Sequence, residues 1–399
     1  MPVVALRQAQ GHAAEVLRVA LRLGLTSFGG PIAHLGYFER AYVREHRWLS
    51  ADEYASLVAL CQILPGPTSS QVGFLIGLQR AGWRGALAAW VGFTLPSALL
   101  LYACARLATR VQGPWVSALT HGLKLVAVAV VAQAVASMAR RLCTDALTWL
   151  IAAAAMGLLV ANAGAGASVQ LAVLAGAAAV GSLWCRPAAV PAQGTARGEW
   201  IAAPSLATFA VLLLGLSMLS WRYPHGVFAL GHLFYRAGAL VFGGGHVVLP
   251  LLRAALVPGW LSDDAFLGGY GLAQAVPGPL FTVAAYLGAV AVPAAPSAAA
   301  VTALIAIFLP GLLLALAGSS VWSALARHVR LRAAMTGLNA AVVGVLAAAL
   351  YDPVWVSGVH DGADAAVAGG GLLLLASGRV PPLAVVALCT GASLARMLL

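Results

Sequence analysis

The chain has 399 residues, of which 61% are hydrophobic and 9% are Asp, Glu, Lys or Arg, against roughly 25% charged in an ordinary soluble domain. With a mean hydropathy of +0.91, this composition excludes a water-soluble globule and leaves a polytopic helical membrane protein. The formal net charge of +11 comes without basic clusters interleaved with aromatics, so it reads as basic loops on a positive-inside membrane face, with the lipid bilayer and no nucleic acid as partner.

From the N-terminus, Arg7, Glu15, Arg18 and Arg22 interrupt any apolar core, so no removable signal peptide is read. Apolar runs follow at 24–38, 54–77, 86–108, 117–137, 147–163, 167–184, 205–219, 228–251, 266–291, 299–325, 334–350, 363–377 and 381–398. The expected fold is all-α, with about 13 transmembrane or re-entrant helices. Residues 185–200 are polar and rich in Pro, Gly and Arg, and read as a linker between a first half, 1–184, and a second half, 201–399. Cys61, Cys104, Cys143, Cys185 and Cys389 stand singly, which points to neither a metal site nor a disulfide framework, and no cofactor is expected.

Counting arginines on alternate sides favours a cytoplasmic N-terminus and an external C-terminus. Arg7, Arg18, Arg22, Arg80, Arg84, Arg140, Arg141, Arg186, Arg197, Arg253, Arg327, Arg330, Arg332 and Arg379 fall on one side. Arg40, Arg44, Arg47, Arg106, Arg110, Arg222 and Arg396 fall on the other. The basic 39–53 loop sits awkwardly on that outer side, as it would if neighbouring segments were re-entrant.

An internal repeat organises the rest. Phe28-Gly29-Gly30 recurs as Phe242-Gly243-Gly244, the Trp48-Leu49-Ser50-x-Asp52 element as Trp260-Leu261-Ser262-x-Asp264, and Gln62-x-x-Pro65-Gly66-Pro67 as Gln274-x-x-Pro277-Gly278-Pro279. Fainter echoes pair Phe93-Thr94-Leu95-Pro96 with Phe308-Leu309-Pro310, and Gly122-Leu123 with Gly337-Leu338. Whether the motif-bearing segments cross or re-enter, an odd number of crossings separates the repeats. They are therefore expected to be inverted, the architecture of secondary transporters.

The four motifs FGGP (Phe28 to Pro31), QILPGP (Gln62 to Pro67), FGGGH (Phe242 to His246, with Gly245 before the histidine) and QAVPGP (Gln274 to Pro279) put helix breakers inside apolar runs. One such break alone reads more readily as a packing kink or a short helix–helix approach. Four in repeat-matched positions point to half-helices converging on a central site, because unwound backbone at bilayer depth needs protein or a wet cavity around it. Half-helix N-termini near Pro31, Pro67, His246 and Pro279 would direct N–H groups at an anion. Thr68, Ser69, Ser70 and Thr282 follow the PGP turns as hydroxyl donors, and Gln62 and Gln274 precede them as polar lining.

Ionisable groups inside the apolar runs are of one sign. Lys124, the chain's single lysine, lies near the middle of 117–137, with Arg236 and His232 in 228–251 and His34, His121 and His246 near breaks. The carboxylates are expected at loops and segment ends, among them Asp52, Asp263, Asp264 and the weak loop pattern Asp361-x-x-Asp364. Cations without carboxylates suit an anionic substrate. Lys124 is then expected to be paired with carbonyl oxygens or with a transported anion. His34, His121 and His232 read as structural histidines, and His246 as readily as a site residue.

The Phe28-to-Phe38 stretch (FGGP-x-A-H-x-G-x-F), the Trp-Leu-Ser element, the QxLPGP motif and their second-half counterparts resemble the chromate ion transporter family in its long, two-domain form. The resemblance implies an inner-membrane protein that exports chromate and confers resistance to it, acting as a monomer or homodimer because one chain supplies both halves. Two departures, FGGGH against FGGPI and Asn339 against Lys124, make the halves inequivalent. Expelling a dianion from a cell that is 100 mV inside-negative releases about 4.6 kcal/mol, which needs no coupled ion. Sulfate or another tetrahedral oxyanion is the alternative substrate. An intramembrane enzyme is disfavoured, since the sequence has no HExxH, no GxSxG and no aspartate-rich metal motif.

Overall fold

The computed structural model describes residues 11–108, 110, 113–162, 167–187, 199–242, 245–325 and 328–398. Most of the expected linker, residues 188–198, together with Gly243 and Gly244, lies outside them. The described residues fold as an all-α membrane protein. Its helices are α1 (Ala13–Thr26), α2 (Gly30–Phe38), α3 (Ala51–Ile63), α4 (Thr68–Ala108), α5 (Pro114–Leu142), α6 (Ala146–Ala161), α7 (Ala167–Trp184) and α8 (Glu199–Arg222). They continue as α9 (Val227–Leu240), α10 (Val248–Leu256), α11 (Asp263–Gln274), α12 (Val283–Ala291), α13 (Pro296–Leu325), α14 (Val329–Ala349), α15 (Gly362–Ala376) and α16 (Pro382–Leu398). By length and composition, α4, α5, α8, α13 and α14 contain segments apolar enough to cross a membrane.

Local chemistry sets many of the boundaries. Ser50 and Glu53 form a capping box at the start of α3, Asp145 and Thr148 do the same for α6, and the Ser262 and Asp361 side chains accept backbone N–H groups at the starts of α11 and α15. α4 bends where Ala81 and Gly82 leave helical geometry, Gly82 at φ 61°. That kink divides it into a short arm and a long arm.

Each of the four motif-bearing runs is split in two. Gly29 and Gly30 take φ 97° and 76° between α1 and α2, a conformation open to glycine at little cost. The chain turns back there instead of crossing. The Trp48 indole donates to Glu15 on α1 at 3.2 Å, Arg80 at the α4 kink bonds both Glu15 oxygens, and the Gly11 amide donates to the Arg80 carbonyl. The start of α1, the loop before α3 and the α4 kink therefore meet at one end of the molecule. This corrects the expectation that placed Arg40, Arg44 and Arg47 on the side opposite Arg80. That expectation rests on a full crossing at 24–38, and the glycine pair abolishes it.

The two repeats exchange their last helices. α6 and α7 pack on α14, and α15 and α16 pack on α5. Glycines permit the close approach: a Cβ on Gly122 would lie 2.6 Å from the Thr390 Cα, and one on Gly337 would run into the Ala177 carbonyl. The faint Gly-Leu echo in the sequence thus marks equivalent helix crossings.

Candidate functional site

The PGP turns cross-brace the repeats. The Gly66 amide donates to the Val241 carbonyl at 2.7 Å, and the Gly278 amide donates to the Ser27 carbonyl at 2.9 Å. Val241 and Ser27 each immediately precede a Phe-Gly-Gly motif, so each turn of one repeat is tied to the break of the other by equivalent bonds. Each turn also abuts the proline-bearing stretch of the opposite repeat's long helix. A Cβ on Gly66 would stand 2.8 Å from the Gly311 Cα, and one on Gly278 would stand 2.8 Å from Ser97 Oγ. Gln71, wholly buried, donates through Nε2 to the carbonyls of Pro65 and Gly311 at 2.8 and 2.9 Å.

A small cavity of about 40 Å³ sits at this crossing, its polar wall formed by Gly29, Gly30, Gln133, His246, Gln274 and Gly278. His246 Nδ1 and the Tyr270 hydroxyl are 2.9 Å apart, and His246 Nε2 is the nearest atom to where a Cβ of Gly30 would be, at 3.6 Å. On the first-repeat side, His34 Nδ1 faces Ser69 Oγ at 3.4 Å, with its ring edge-on to Phe93. The hydroxyls of Ser27, Ser70 and Thr94 are buried without a protein partner, which is costly unless water or ligand meets them.

Of the residues expected from the motifs, Gly29, Gly30, His246, Gln274 and Gly278 come together at the cavity. Gly66, Pro67, Thr68 and Ser69 are buried beside the cross-brace, and Thr282 Oγ1 turns back to the Pro279 carbonyl. Pro31 stands in the first turn of α2. Pro65, Phe28, Phe242, Gly245 and Pro277 build the turns without lining the cavity. Gln62 is exposed, a correction to its expected role, because α3 presents that face away from the crossing. Gln133 and Tyr270 carried no motif; their places follow from α5 and α11 packing together across the repeats.

Lys124 requires the largest correction. Its ammonium lies 2.5 Å from Asp264 Oδ1, so its partner is a carboxylate and not a carbonyl set or a free anion. The pairing is invisible along the chain because α11, carried by the other repeat, delivers Asp264 to α5. Asp364 overturns the expectation that no carboxylate is buried. It is 2% exposed, receives His121 at 3.0 Å and Arg396 at 2.7 Å, and accepts the His360 amide. Asp361, read as part of a loop pattern, caps α15 and pairs with Arg396, whose hydrogen bond lowers its carboxyl to about 2.

Lys124, Asp264, His121, His360, Asp364 and Arg396 line a vestibule of about 1410 Å³ beside α5, α11, α15 and α16. Ligand atoms of His121, His360 and Asp364 fall within 4.8 Å of one another, a spacing that would admit a metal ion, but Arg396 already neutralises the carboxylate. Leu123, Gly268 and Leu272 line the vestibule, whereas the next residues of α11, Ala273 and Gln274, line the central cavity. One helix contact separates the two spaces.

Duplicated broken helices, cross-braced at a small polar cavity, define a membrane protein of the transporter class. The chain belongs to the chromate transporter family, which matches it twice, over residues 14–182 and 228–394. It is 31% identical to the chromate transport protein of Pseudomonas aeruginosa over 356 residues, spanning 83% of this chain and 79% of that protein. It is 28% identical to the probable chromate transport protein of Synechococcus elongatus, over 84% of this chain and 83% of the relative. It is also 28% identical to the chromate transport protein of Cupriavidus metallidurans, over 84% and 81% respectively. No solved structure matches the chain.

Proposed function

We propose that this protein exports chromate across the plasma membrane by alternating access of two inverted repeats, giving resistance to the anion. The reciprocal pair of hydrogen bonds, Gly66 to Val241 and Gly278 to Ser27, carries the reading. It makes the PGP turn of each repeat depend on the break of the other, so a rearrangement on one side is felt at its counterpart. The relatives' names supply the substrate, and the chemistry agrees with it. Helix starts after Gly29, Pro67 and Pro279 would offer N–H groups to an anion, which such groups recognise by charge and shape.

On this reading the oxyanion occupies an expanded form of the cavity bounded by Gly29, Gly30, His246, Gln274, Gly278 and Gln133. The N-terminus faces the cytoplasm, and the vestibule opens on the external side. With Arg40, Arg44 and Arg47 at the same end as Arg80, the arginine balance favours that orientation more strongly than the unbroken-segment count did. A dianion leaving an inside-negative cell moves down the electrical gradient.

The test is reconstitution in liposomes with spectroscopically followed chromate, imposing potential and pH gradients separately. Saturable, potential-driven chromate movement that is lost in His246→Ala supports the reading. Full-rate movement in that variant removes the cavity from the pathway, and preferential competition by sulfate would reassign the substrate.

A further inference from the structure

The vestibule holds a buried cation facing a carboxylate that is not buried. Lys124 has 9% of its side chain exposed and Asp264 has 69%. The two ends of this ion pair therefore differ in what separation costs them. Released, Asp264 can turn into the water of the vestibule, whereas Lys124 stays inside α5 with its charge uncompensated. Any change that parts them must give Lys124 another anion.

Position in the fold says what that change is. Lys124 belongs to the first repeat and Asp264 to the second, at the outer end of α11. The same helix ends at Gln274 on the central cavity, and its contact with α5 separates vestibule from cavity. That contact is close and smooth: a Cβ on Gly271 would run into the Leu123 carbonyl, and one on Gly268 would lie 3.1 Å from the Thr120 methyl. The repeat-equivalent pair is Asn339 and Asp52, which has no cation, and α3 makes no comparable contact with α14 among the described residues. Among the described residues, the α5–α11 ion pair has no counterpart between α14 and α3.

We infer that Asp264 is a tethered competitor of the transported oxyanion for Lys124. The ion pair is then a latch that holds α11 on α5 and that a dianion opens by taking the carboxylate's place. An oxyanion leaving the central cavity meets Lys124 as α11 parts from α5, and Asp264 swings into water. After the anion departs, Asp264 returns and closes the route behind it. The inference rests on the oxyanion reading of the central site, which it extends to a second, transient station.

Equilibrium chromate binding to the purified full-length protein, in thiol-free detergent buffer, tests it. Binding by the parent chain is the control for the oxyanion reading itself; no binding there fails that reading and leaves nothing for Asp264 to compete with. Given parental binding, Asp264→Asn removes the competitor and should tighten chromate about fivefold, the weight of a partly exposed ion pair. Unchanged or weaker binding in a folded Asp264→Asn protein overturns the inference, because a merely structural partner leaves affinity alone or lowers it. Should Asp264→Asn not accumulate, Lys124→Gln and the Lys124→Gln/Asp264→Asn pair, which leave no orphan lysine, decide the matter. A competitor acting only through Lys124 gives these two proteins equal affinities, both weaker than the parent. A further shift on adding Asp264→Asn to the Lys124→Gln protein overturns the latch.

Discussion

The Gly278 amide donates to the Ser27 carbonyl at 2.9 Å, joining the second repeat's PGP turn to the residue before the first repeat's glycine pair. Its counterpart, Gly66 to Val241, makes the core of the molecule two crossed turns, each completed by the other half. A single chain supplies both.

Both turn glycines should resist any side chain. Gly66 and Gly278 hold φ of 122° and 103°, and an added Cβ would meet backbone or a buried hydroxyl at 2.8 Å. Backbone strain of about 1–3 kcal/mol adds to overpacking of similar size. Gly66→Ala and Gly278→Ala should each lower the thermal unfolding temperature in detergent and abolish chromate transport. A parental melting temperature in either variant would show that the crossing tolerates a methyl group.

Gln71 should matter as much as the motif residues. Its two hydrogen bonds close the Pro65 carbonyl onto the opposite repeat's Gly311 inside the core. Gln71→Leu strands both carbonyls, at about 1–3 kcal/mol for each buried unsatisfied group. Loss of stability without loss of membrane insertion is expected, and thermal unfolding against expression level measures it.

What the sequence disclosed here is what backbone chemistry writes locally. Proline and glycine reveal a broken helix wherever they interrupt an apolar run, so the four breaks and the repeat were legible from Phe28 to Pro31 and from Pro277 to Pro279. Partners brought together by packing leave no such mark. Asp264 looks like a helix-start acid, Asp364 like the end of a loop, and Gln133 like an ordinary polar residue, until α11, α15 and α5 are set side by side. The side assigned to Arg40 also depended on packing, because only the Glu15, Trp48 and Arg80 cluster reveals that the chain turns back.

The Asp361–Arg396 pair predicts an acid-side instability at the C-terminal helix. Arg396 lowers the Asp361 carboxyl from its ordinary 3.8 to about 2 in the fold. A depressed folded value contributes stability that is complete above about pH 4 and is lost as pH falls from there toward 2. Because Asp361 is solvent-exposed, the effect should be small. Arg396→Gln should melt lower than the parent at pH 5 to 7, by an amount constant across that interval, and the gap should narrow below about pH 4. Thermal scans in detergent at pH 7, 5 and 3.5 check it; a gap that widens with acid would reverse the assigned sign.

The proposed inversion of the repeats makes the sharpest topological prediction. The loop before α3 carries Trp48 at the end shared with Glu15 and Arg80. The loop before α11 carries Trp260 and is spanned by the Arg253–Asp263 pair, next in sequence to Asp264, which lines the vestibule. If each of the nine unbroken apolar segments crosses, the chain makes an odd number of crossings, five of them between the two loops, and the loops should face opposite sides of the membrane. Asp52, in the first turn of α3, and Gly259, on the loop before α11, are exposed, and Gly259 has open space where a Cβ would go. In a background with the five native cysteines replaced, Gly259→Cys should react from outside intact cells with an impermeant thiol reagent. Asp52→Cys should react only after the membrane is permeabilised. Equal labelling of both from outside would end the inverted arrangement, and labelling of Asp52→Cys alone would keep the inversion while turning the whole protein over.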